Sequence, residues 1–251
     1  MKRAYSPKEI AAKKWVTLPW DEKWSKPFGF PAENASWFIS GASASGKSSF
    51  VMQLGKELCN YGTVLYMSYE EKINQSFQRR MGYLKMNEVQ GKFRVVTEGS
   101  LEEVIARLKK PKSPKFIIID SFQVAGWDYP QAVELMETFP KKCFIWISQE
   151  KKSQPMGGGA VRLKYICDMK IRVVGYKAYC QGRAIGDPGS YYVVWEDGII
   201  PTCNNLPKCL WIITRRLLKA TPELKCSRYC WTEIPAGPYW MTGWSETSKA
   251  T

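Results

Sequence analysis

The 251-residue sequence predicts an α/β fold, with a mostly parallel central sheet, helices on both of its faces and an antiparallel hairpin at one edge. Two observations favour this class. Short, continuously apolar segments such as 116–119 and 143–147 alternate with longer segments of helical periodicity, which is typical of strands that are buried on both faces. A glycine-rich turn at 41–48 also lies between the first apolar segment of the core and a helical one.

The pattern divides the chain into three parts. Residues 1–35 are a polar arm with tryptophans and several prolines, in which Ser6 and Glu9 predict the capped start of a short helix. We expect this arm to lie over the core, which spans residues 36–198. Residues 199–251 form an extension to which the sequence assigns no function.

Each element of the core is predicted from its own pattern. Apolar runs rich in β-branched and aromatic residues predict strands, and apolar residues three or four positions apart predict helices. Ser100 followed by Glu103 is a capping box at the start of one helix. Segments 169–174 and 191–195 flank a turn rich in glycine and proline, and we expect them to form the edge hairpin. The other strands are expected at 37–40, 63–67, 93–96, 116–119 and 143–147, and the helices at 49–58, 73–84, 100–108, 133–139 and from 161.

Charge and composition narrow the classes of function. The net charge of +14 and the isoelectric point near 9.4 favour a polyanionic partner, with nucleic acid as the first candidate and a generally basic surface as the alternative. No segment approaches the ~20 apolar residues of a membrane helix, and residues 1–5 lack the apolar region of a secretory signal. We therefore expect a cytoplasmic protein with no membrane partner and eight reduced cysteines. The absence of histidine excludes histidine-based acid–base catalysis.

Residues 41–48 read G-x-x-x-x-G-K-S between an apolar strand and a helix. In this arrangement, successive backbone N–H groups and the positive end of the helix dipole meet in one concavity that suits phosphate groups. Lys47 can reach the β- and γ-phosphates of ATP, and the Ser48 hydroxyl can bind Mg²⁺. A chance match in a serine- and glycine-rich loop is the alternative, but the strand and helix on either side favour a nucleotide site. The residues expected to bind the nucleotide are Gly41, Ala42, Ser43, Ala44, Ser45, Gly46, Lys47, Ser48 and Ser49.

Acidic residues follow two of the predicted strands. Asp120 ends the apolar strand 116–119, where a carboxylate beside a phosphate-binding loop can hold the Mg²⁺ shell. Glu70 follows strand 63–67 and can polarise the water that attacks the γ-phosphate, with Glu71 as the alternative base. Both glutamates also fit an ordinary acidic turn before a helix, where the helix dipole favours negative charge.

A glutamine and a basic, glycine-rich segment follow the last core strand. Gln149 stands at the tip of the strand, where an amide can sense the γ-phosphate. The segment 151–159 is expected to be a flexible loop, and eight lysines and arginines between positions 150 and 183 oppose only two acids. Backbone-contacting cations on such a loop are typical of sequence-independent binding to single-stranded nucleic acid. The residues expected to bind it are Lys151, Lys152, Gly157, Gly158, Gly159, Arg162 and Lys164.

In this order and spacing, the motifs resemble the RecA/RadA ATPase core over about residues 36–198, and within that family the short recombinases of bacteriophages and prophages. The resemblance implies ATP hydrolysis with Glu70 as the base and Gln149 as the residue that senses the γ-phosphate. It also implies binding of single-stranded DNA by the segment 151–159, in a bacterial or phage-infected cell. Subunits would assemble into a ring or filament and bind ATP between them.

The resemblance further implies a basic residue that reaches the nucleotide of the neighbouring subunit. Arg183 corresponds to this residue, although the surrounding signature differs from that of RadA, and Lys177 is the alternative. We expect the pocket of one chain to contain no arginine of its own, so that a cation supplied by the neighbour would complete the catalytic site.

Other functions remain open at this stage. A DnaB-like helicase or translocase shares the same core, and a KaiC-like regulatory ATPase or a P-loop kinase would not act on nucleic acid. The four cysteines of the extension do not match the close spacing of zinc ribbons, which favours structural thiols. These cysteines are Cys203, Cys209, Cys226 and Cys230.

Overall fold

The computed structural model describes residues 3–183 and 186–199. The four cysteines of the extension lie outside these residues. None of the helices in the described part of the chain is long and apolar enough to cross a membrane. The strands are β1 (Trp37–Gly41), β2 (Val64–Ser68), β3 (Phe93–Val96), β4 (Phe116–Asp120), β5 (Cys143–Lys151), β6 (Gln154–Pro155), β7 (Met169–Val174), β8 (Lys177–Cys180) and β9 (Tyr192–Val193).

Eight α-helices and one short 3-10 helix at Met86–Val89 accompany these strands in the described residues. The capping boxes predicted at Ser6 and Ser100 are both present, each with its glutamate three residues later. The α-helices are α1 (Pro7–Ala11), α2 (Glu22–Phe28), α3 (Lys47–Leu58), α4 (Gln75–Tyr83), α5 (Leu101–Lys109), α6 (Phe122–Ala125), α7 (Tyr129–Thr138) and α8 (Gly158–Ile166).

The strands form one sheet in the order β3-β2-β4-β5-β1-β7-β8-β9, with β6 paired to β5. The first six strands of this order are parallel, and β8 pairs antiparallel with both β7 and β9. The predicted fold class is therefore confirmed. The register sets Gly41 opposite Gln149 and Ser68 opposite Asp120. The strand ends that carry the candidate site residues thus meet at one edge of the sheet, its carboxyl edge.

Apolar side chains cover both faces of the sheet. One face packs against α3 and the N-terminal arm, and the other packs against α5, α7 and α8. In the arm, Trp20, Trp24 and Phe28 are buried, and the Trp24 ring stacks on Tyr192 with 4.3 Å between centroids. The arm therefore lies on the core as expected, and these three aromatic residues are part of the hydrophobic interior.

The edge hairpin differs from the predicted one. Strand β7 turns through Gly175 and Tyr176 into β8, and the expected partner segment is reduced to β9, which pairs with β8 instead. Gly175 and Tyr176 have φ angles of 54° and 58°. A two-residue turn with both φ angles positive matches the twist of the strands it joins. Tyrosine seldom adopts this conformation, so the sequence favoured the glycine- and proline-rich turn further along the chain.

The segment expected to be a flexible loop at 151–159 is largely regular. Strand β5 continues to Lys151 and pairs with β6 through a turn at Lys152 and Ser153, whose φ angles are 50° and 63°. We call residues 150–155 the basic hairpin. Helix α8 then begins at Gly158, three residues before its predicted start, so two of the three glycines are helical. Pairing with β5 outweighed the local glycine signal, which by itself indicated a loop.

Candidate functional site

The turn at 41–48 forms the rim of a cavity of about 560 Å³ at the carboxyl edge of the sheet. Its shape depends on glycine at two positions. A Cβ at Gly41 would lie 2.4 Å from the Val173 carbonyl oxygen. Gly46 caps α3 with a φ angle of 96°, and a Cβ there would lie 2.8 Å from the Tyr176 ring. The loop therefore brings its backbone N–H groups close to any ligand at the N-terminus of α3.

Lys47 lies across this loop. Its Nζ donates a hydrogen bond to the Ala42 carbonyl at 2.8 Å. Burial lowers the pKa of Lys47, and the negative charges of Glu70, Asp120 and Glu150 oppose this shift. A phosphate chain in the cavity would supply oxygen acceptors to the ammonium in place of the single carbonyl.

Asp120 is buried beneath the cavity at the end of β4. Only 5% of the residue is exposed, and it is not part of the cavity lining. The Tyr66 hydroxyl donates a hydrogen bond to Asp120 Oδ2 at 2.5 Å. Burial raises the pKa of Asp120 to about 6, although the hydrogen bond from Tyr66 opposes this rise. The carboxylate therefore lies outside the cavity wall, and its expected role at Mg²⁺ stays a prediction.

The structure separates the two adjacent glutamates that the sequence left as alternatives. Glu70 lines the cavity, and its Oε1 accepts a hydrogen bond from the Gln149 amide at 2.8 Å. The backbone N–H of Glu70 is fixed to the Asp120 carbonyl at 3.0 Å. Glu71 instead accepts hydrogen bonds from Arg80 at 2.6 Å and from Ser76 at 2.8 Å. Glu70 is thus the one of these two glutamates that lines the cavity.

Arg80 also lines this cavity, so the expectation that the pocket has no arginine of its own is wrong. Helix α4 follows β2 in the chain and places Arg80 at the same cavity as the phosphate loop. One sequence signal could have found it: Phe77 is apolar and stands three positions before Arg80, and residues three positions apart share a helix face. The adjacent Arg79 is exposed.

Glu150 is a second residue whose position the sequence did not reveal. Its side chain is 2% exposed, accepts a hydrogen bond from Ser40 at 2.8 Å and forms an ion pair with Arg172 at 3.0 Å. The Nζ of Lys170 donates to the Cys167 carbonyl at 2.7 Å. The ion pair therefore joins one of the eight cations counted from the sequence to one of the two acids in that count, and Lys170 keeps its charge while it bonds to a neutral carbonyl.

A glutamine of α6 connects the cavity with the basic hairpin. The Gln123 amide donates hydrogen bonds to Ser148 Oγ at 2.7 Å and to the Met156 carbonyl at 2.8 Å. Its Oε1 accepts from the backbone N–H of Gln149 at 3.3 Å. The same side chain therefore holds the strand that carries Gln149 and the segment that follows the hairpin.

The residues predicted to bind nucleic acid lie in the basic hairpin and in the segment from Gly157 through the first two turns of α8. Lys151 and Lys152 are exposed in the basic hairpin, and Lys151 also lines the cavity. Arg162 is exposed on α8, with its guanidinium 4.1 Å from the centre of the Tyr129 ring. Lys164 is half-buried on the same helix. The three glycines at 157–159 form the N-cap and first turn of α8.

Arg183 lies at the other end of the sheet. Its backbone N–H donates to the Asp168 carbonyl, at the start of β7, whereas the turn that follows β7 contacts the phosphate loop through Tyr176. Six residues of strand, roughly 20 Å, separate these two ends. The alternative, Lys177, lies at the same end as the phosphate loop. The expected action of either residue on a neighbouring subunit stays a prediction.

The fold and this cavity define a RecA-like α/β core with a phosphate-binding loop at the carboxyl edge of its sheet. No family model matches the chain. The DNA repair protein RadA of Streptococcus pyogenes serotype M6 is 33% identical over 85 residues, which are 34% of this chain and 18% of that protein. RadA of Streptococcus pneumoniae is also 33% identical over 85 residues, 34% of this chain and 19% of that protein. The chain thus matches less than a fifth of the length of these curated relatives.

Among solved structures, the flagellar accessory protein FlaH from Methanocaldococcus jannaschii has a similar fold, with a TM-score of 0.51 and 18% sequence identity. The similarity covers 72% of this chain and 92% of FlaH. At this identity the likeness concerns the fold. Together with the partial similarity to RadA, it supports the RecA-like core that the motifs indicated.

Proposed function

We propose that this protein binds and hydrolyses ATP with Mg²⁺. The observation that carries the proposal is the convergence of the phosphate loop, Glu70 and Gln149 on one cavity. The backbone of residues 41–48 and the Lys47 ammonium would bind the phosphates. Ser48 and Asp120 would hold Mg²⁺, which neutralises phosphate charge when it is bound. Glu70 would accept a proton from the water that attacks the γ-phosphate, and Gln149 orients Glu70.

A test of nucleotide binding uses Lys47→Ala. This variant should bind ATP weakly, because the cavity then lacks the cation nearest to its phosphate loop. Wild-type protein and Lys56→Ala, whose lysine pairs with Glu88 away from the cavity, serve as references. Equal ATP affinity in all three proteins would contradict the proposed site.

We further propose that the protein is a short recombinase or annealing protein that acts on single-stranded DNA. Its net charge of +14 supports a polyanionic partner, and exposed cations lie beside the cavity. The partial similarity to proteins named for DNA repair points in the same direction. Phosphate contacts would come from the residues named above in the basic hairpin and the start of α8. Single-stranded DNA should therefore raise the rate of ATP hydrolysis.

The alternatives are separated by two measurements. A helicase of the same core would displace a strand from a forked duplex, whereas a recombinase would not. A rate of ATP hydrolysis that does not change when single-stranded DNA is added would favour a regulatory ATPase instead. Electron microscopy with an ATP analogue and single-stranded DNA would show whether the subunits form a ring or a filament.

Self-association is part of the proposal, with Arg183 or Lys177 reaching the nucleotide of the neighbouring subunit. Mixing the inactive variants Glu70→Gln and Arg183→Ala tests it, because some interfaces would then pair an intact Glu70 with an intact Arg183. Activity should return in mixed oligomers. No return of activity, with mixing demonstrated, would exclude Arg183, and the same experiment with Lys177→Ala would then decide on the alternative.

A further inference from the structure

Arg80 lines the cavity beside the phosphate loop and is held in place before any ligand binds. Its two terminal nitrogens donate to the two carboxylate oxygens of Glu71, at 2.6 and 3.4 Å. Glu71 is itself fixed, because Ser76 donates to its side chain at 2.8 Å and Ser68 donates to its backbone carbonyl at 2.5 Å. The guanidinium therefore has a defined orientation at the wall of the cavity.

The ion pair leaves Arg80 with donors to spare. A guanidinium carries five N–H groups in a planar fork, and the contacts with Glu71 use two of them. The Arg80 side chain is 23% exposed, and Arg80 lines the cavity together with Lys47, Glu70 and Gln149. Arginine is well suited to this position because its planar fork can bind a carboxylate and a phosphate group at once.

We propose that Arg80 is a cation from the same chain that binds the terminal phosphate of ATP and stabilises the charge of the transfer. The inference rests on the proposed ATPase activity. In the reaction, the water oxygen forms a bond to the γ-phosphorus, and the bond to the β,γ-bridging oxygen breaks. ADP leaves with that electron pair, and Glu70 takes the proton of the water. Arg80 would donate to the γ-phosphate oxygens as they move from ATP to inorganic phosphate.

In this arrangement Glu71 is a positioning residue that acts through Arg80. Burial opposes its ionisation, but the hydrogen bonds from Arg80 and Ser76 outweigh burial and lower the pKa of Glu71. Glu71 is therefore charged at neutral pH and keeps the guanidinium in place. The two glutamates are adjacent in the sequence but would have different roles: Glu70 accepts the proton, and Glu71 positions Arg80.

A merely structural ion pair would behave differently. Arg80 and Glu71 are each about one quarter exposed, so a structural role of the pair would appear as a change in the free energy of unfolding. If the pair only supports α4, its loss should change the rate of hydrolysis no more than the loss of another arginine on that helix. If Arg80 binds the γ-phosphate, its loss should impair the reaction of ATP and spare the binding of ADP, which lacks this group.

The experiment compares Arg80→Gln with Arg79→Gln, which removes the same charge from the neighbouring, exposed position of α4. We expect Arg80→Gln to lower kcat ~10²-fold, the usual effect of removing one donor to the transition state. The Kd for ADP should change less than threefold, and the preference for ATP over ADP should fall. Arg79→Gln should resemble the wild type, and Arg80→Lys should lie between Arg80→Gln and the wild type.

Glu71→Gln supplies an independent readout of positioning. It should lower kcat less than Arg80→Gln does, and it should have no further effect when Arg80 is already replaced. An unchanged kcat and an unchanged preference for ATP in Arg80→Gln would overturn the inference and leave the proposed ATPase intact. A wild-type protein that neither binds nor hydrolyses ATP would overturn both. If Arg80→Gln fails to fold, Arg80→Lys and Glu71→Gln decide by the same measurements.

Discussion

Two neighbouring regions at the carboxyl edge of the sheet carry charge in opposite ways. Near the phosphate loop, two buried carboxylates are bonded within the chain: Asp120 to Tyr66, and Glu150 to Arg172. Directly after Glu150, Lys151 and Lys152 of the basic hairpin are exposed to solvent. The same sheet edge therefore holds a rigid charged network and a solvated basic surface.

The difference indicates two kinds of ligand. Charged groups that are held by partners before binding suit a ligand of constant shape, because these groups need little reorganisation when the ligand binds. Solvated lysines adapt to a polyanion whose conformation varies and bind it mainly through its phosphates. A nucleotide fits the first region, and a flexible nucleic-acid strand fits the second. Gln123 bonds to Gln149 and to Met156, the residues on either side of the basic hairpin, and so links the hairpin to the strand that carries Gln149.

The largest effect is expected for Glu70→Gln in the rigid region. Loss of a positioned base should lower the turnover of ATP ~10²-fold or more while ATP binding is kept. Steady-state hydrolysis and equilibrium binding of ATP measure the two quantities. Full activity in this variant would transfer the role of base to Glu71 and would contradict the division of tasks between the two glutamates.

A second effect is the loss of free energy of unfolding when the buried Asp120 ionises. Because the pKa of Asp120 is raised from 3.8 to about 6, the folded chain binds more protons than the unfolded chain between these pH values. The contribution of the protonated Asp120 carboxyl to the free energy of unfolding is therefore full below pH 4. It is lost as the pH rises through 6, which lowers the free energy of unfolding by up to about 3 kcal/mol.

Asp120→Asn should remove this pH dependence. Without Mg²⁺, its free energy of unfolding in urea should exceed that of the wild type at pH 7.5, and the gap should narrow toward pH 4.5. Comparing the two proteins at each pH cancels the titration of all other groups. If the difference in free energy of unfolding is the same at both pH values, the ionisation of Asp120 does not destabilise the folded chain.

The connection between the two regions is tested by Gln123→Ala. Removal of its hydrogen bonds, each worth about 1 kcal/mol, should uncouple the hairpin from Gln149 and lower the stimulation of hydrolysis by single-stranded DNA ~10-fold. The rates with and without DNA give the ratio directly. The exposed Gln78 of α4 offers a matched control in Gln78→Ala. Equal stimulation in the two variants would mean that the regions work independently.

The smallest effect is expected at the solvated surface. Neutralising Lys151, Lys152 and Arg162 with glutamine should reduce the slope of log affinity against log salt by about 0.7 for each DNA phosphate that is no longer bound. The control neutralises the exposed lysines at 109, 110 and 112, which precede β4 at the opposite edge of the sheet. An identical slope in the two triple variants would exclude the hairpin as the binding surface.

Some of the site was predictable because its signals are local. The phosphate loop, the strand that ends at Asp120 and the capping boxes each depend on residues a few positions apart, and the structure contains all of them. The parallel sheet also followed from local pattern, since continuously apolar strands require cover on both faces. That Gln149 would lie near Glu70 was expected from their positions at strand ends, and their hydrogen bond agrees with this.

Other features depend on distant parts of the chain. No local pattern shows that Gln123 bonds to the Met156 carbonyl, or that Tyr176 lies against Gly46, because these contacts arise when separate elements pack together. The turns at 152–153 and 175–176 place non-glycine residues at positive φ, which strand pairing imposes against local preference.

The sequence by itself determined the class of fold, the order of its elements and the chemical nature of the phosphate loop, because periodicity and turn residues act over short distances. The tertiary structure decided which of two adjacent glutamates faces the cavity, and it brought Arg80 to the cavity wall. Both outcomes depend on how α4 packs over the end of β2. Phe77 packs into the core and Arg80 pairs with Glu71, and these contacts decide that Arg80 and not the exposed Arg79 lines the cavity.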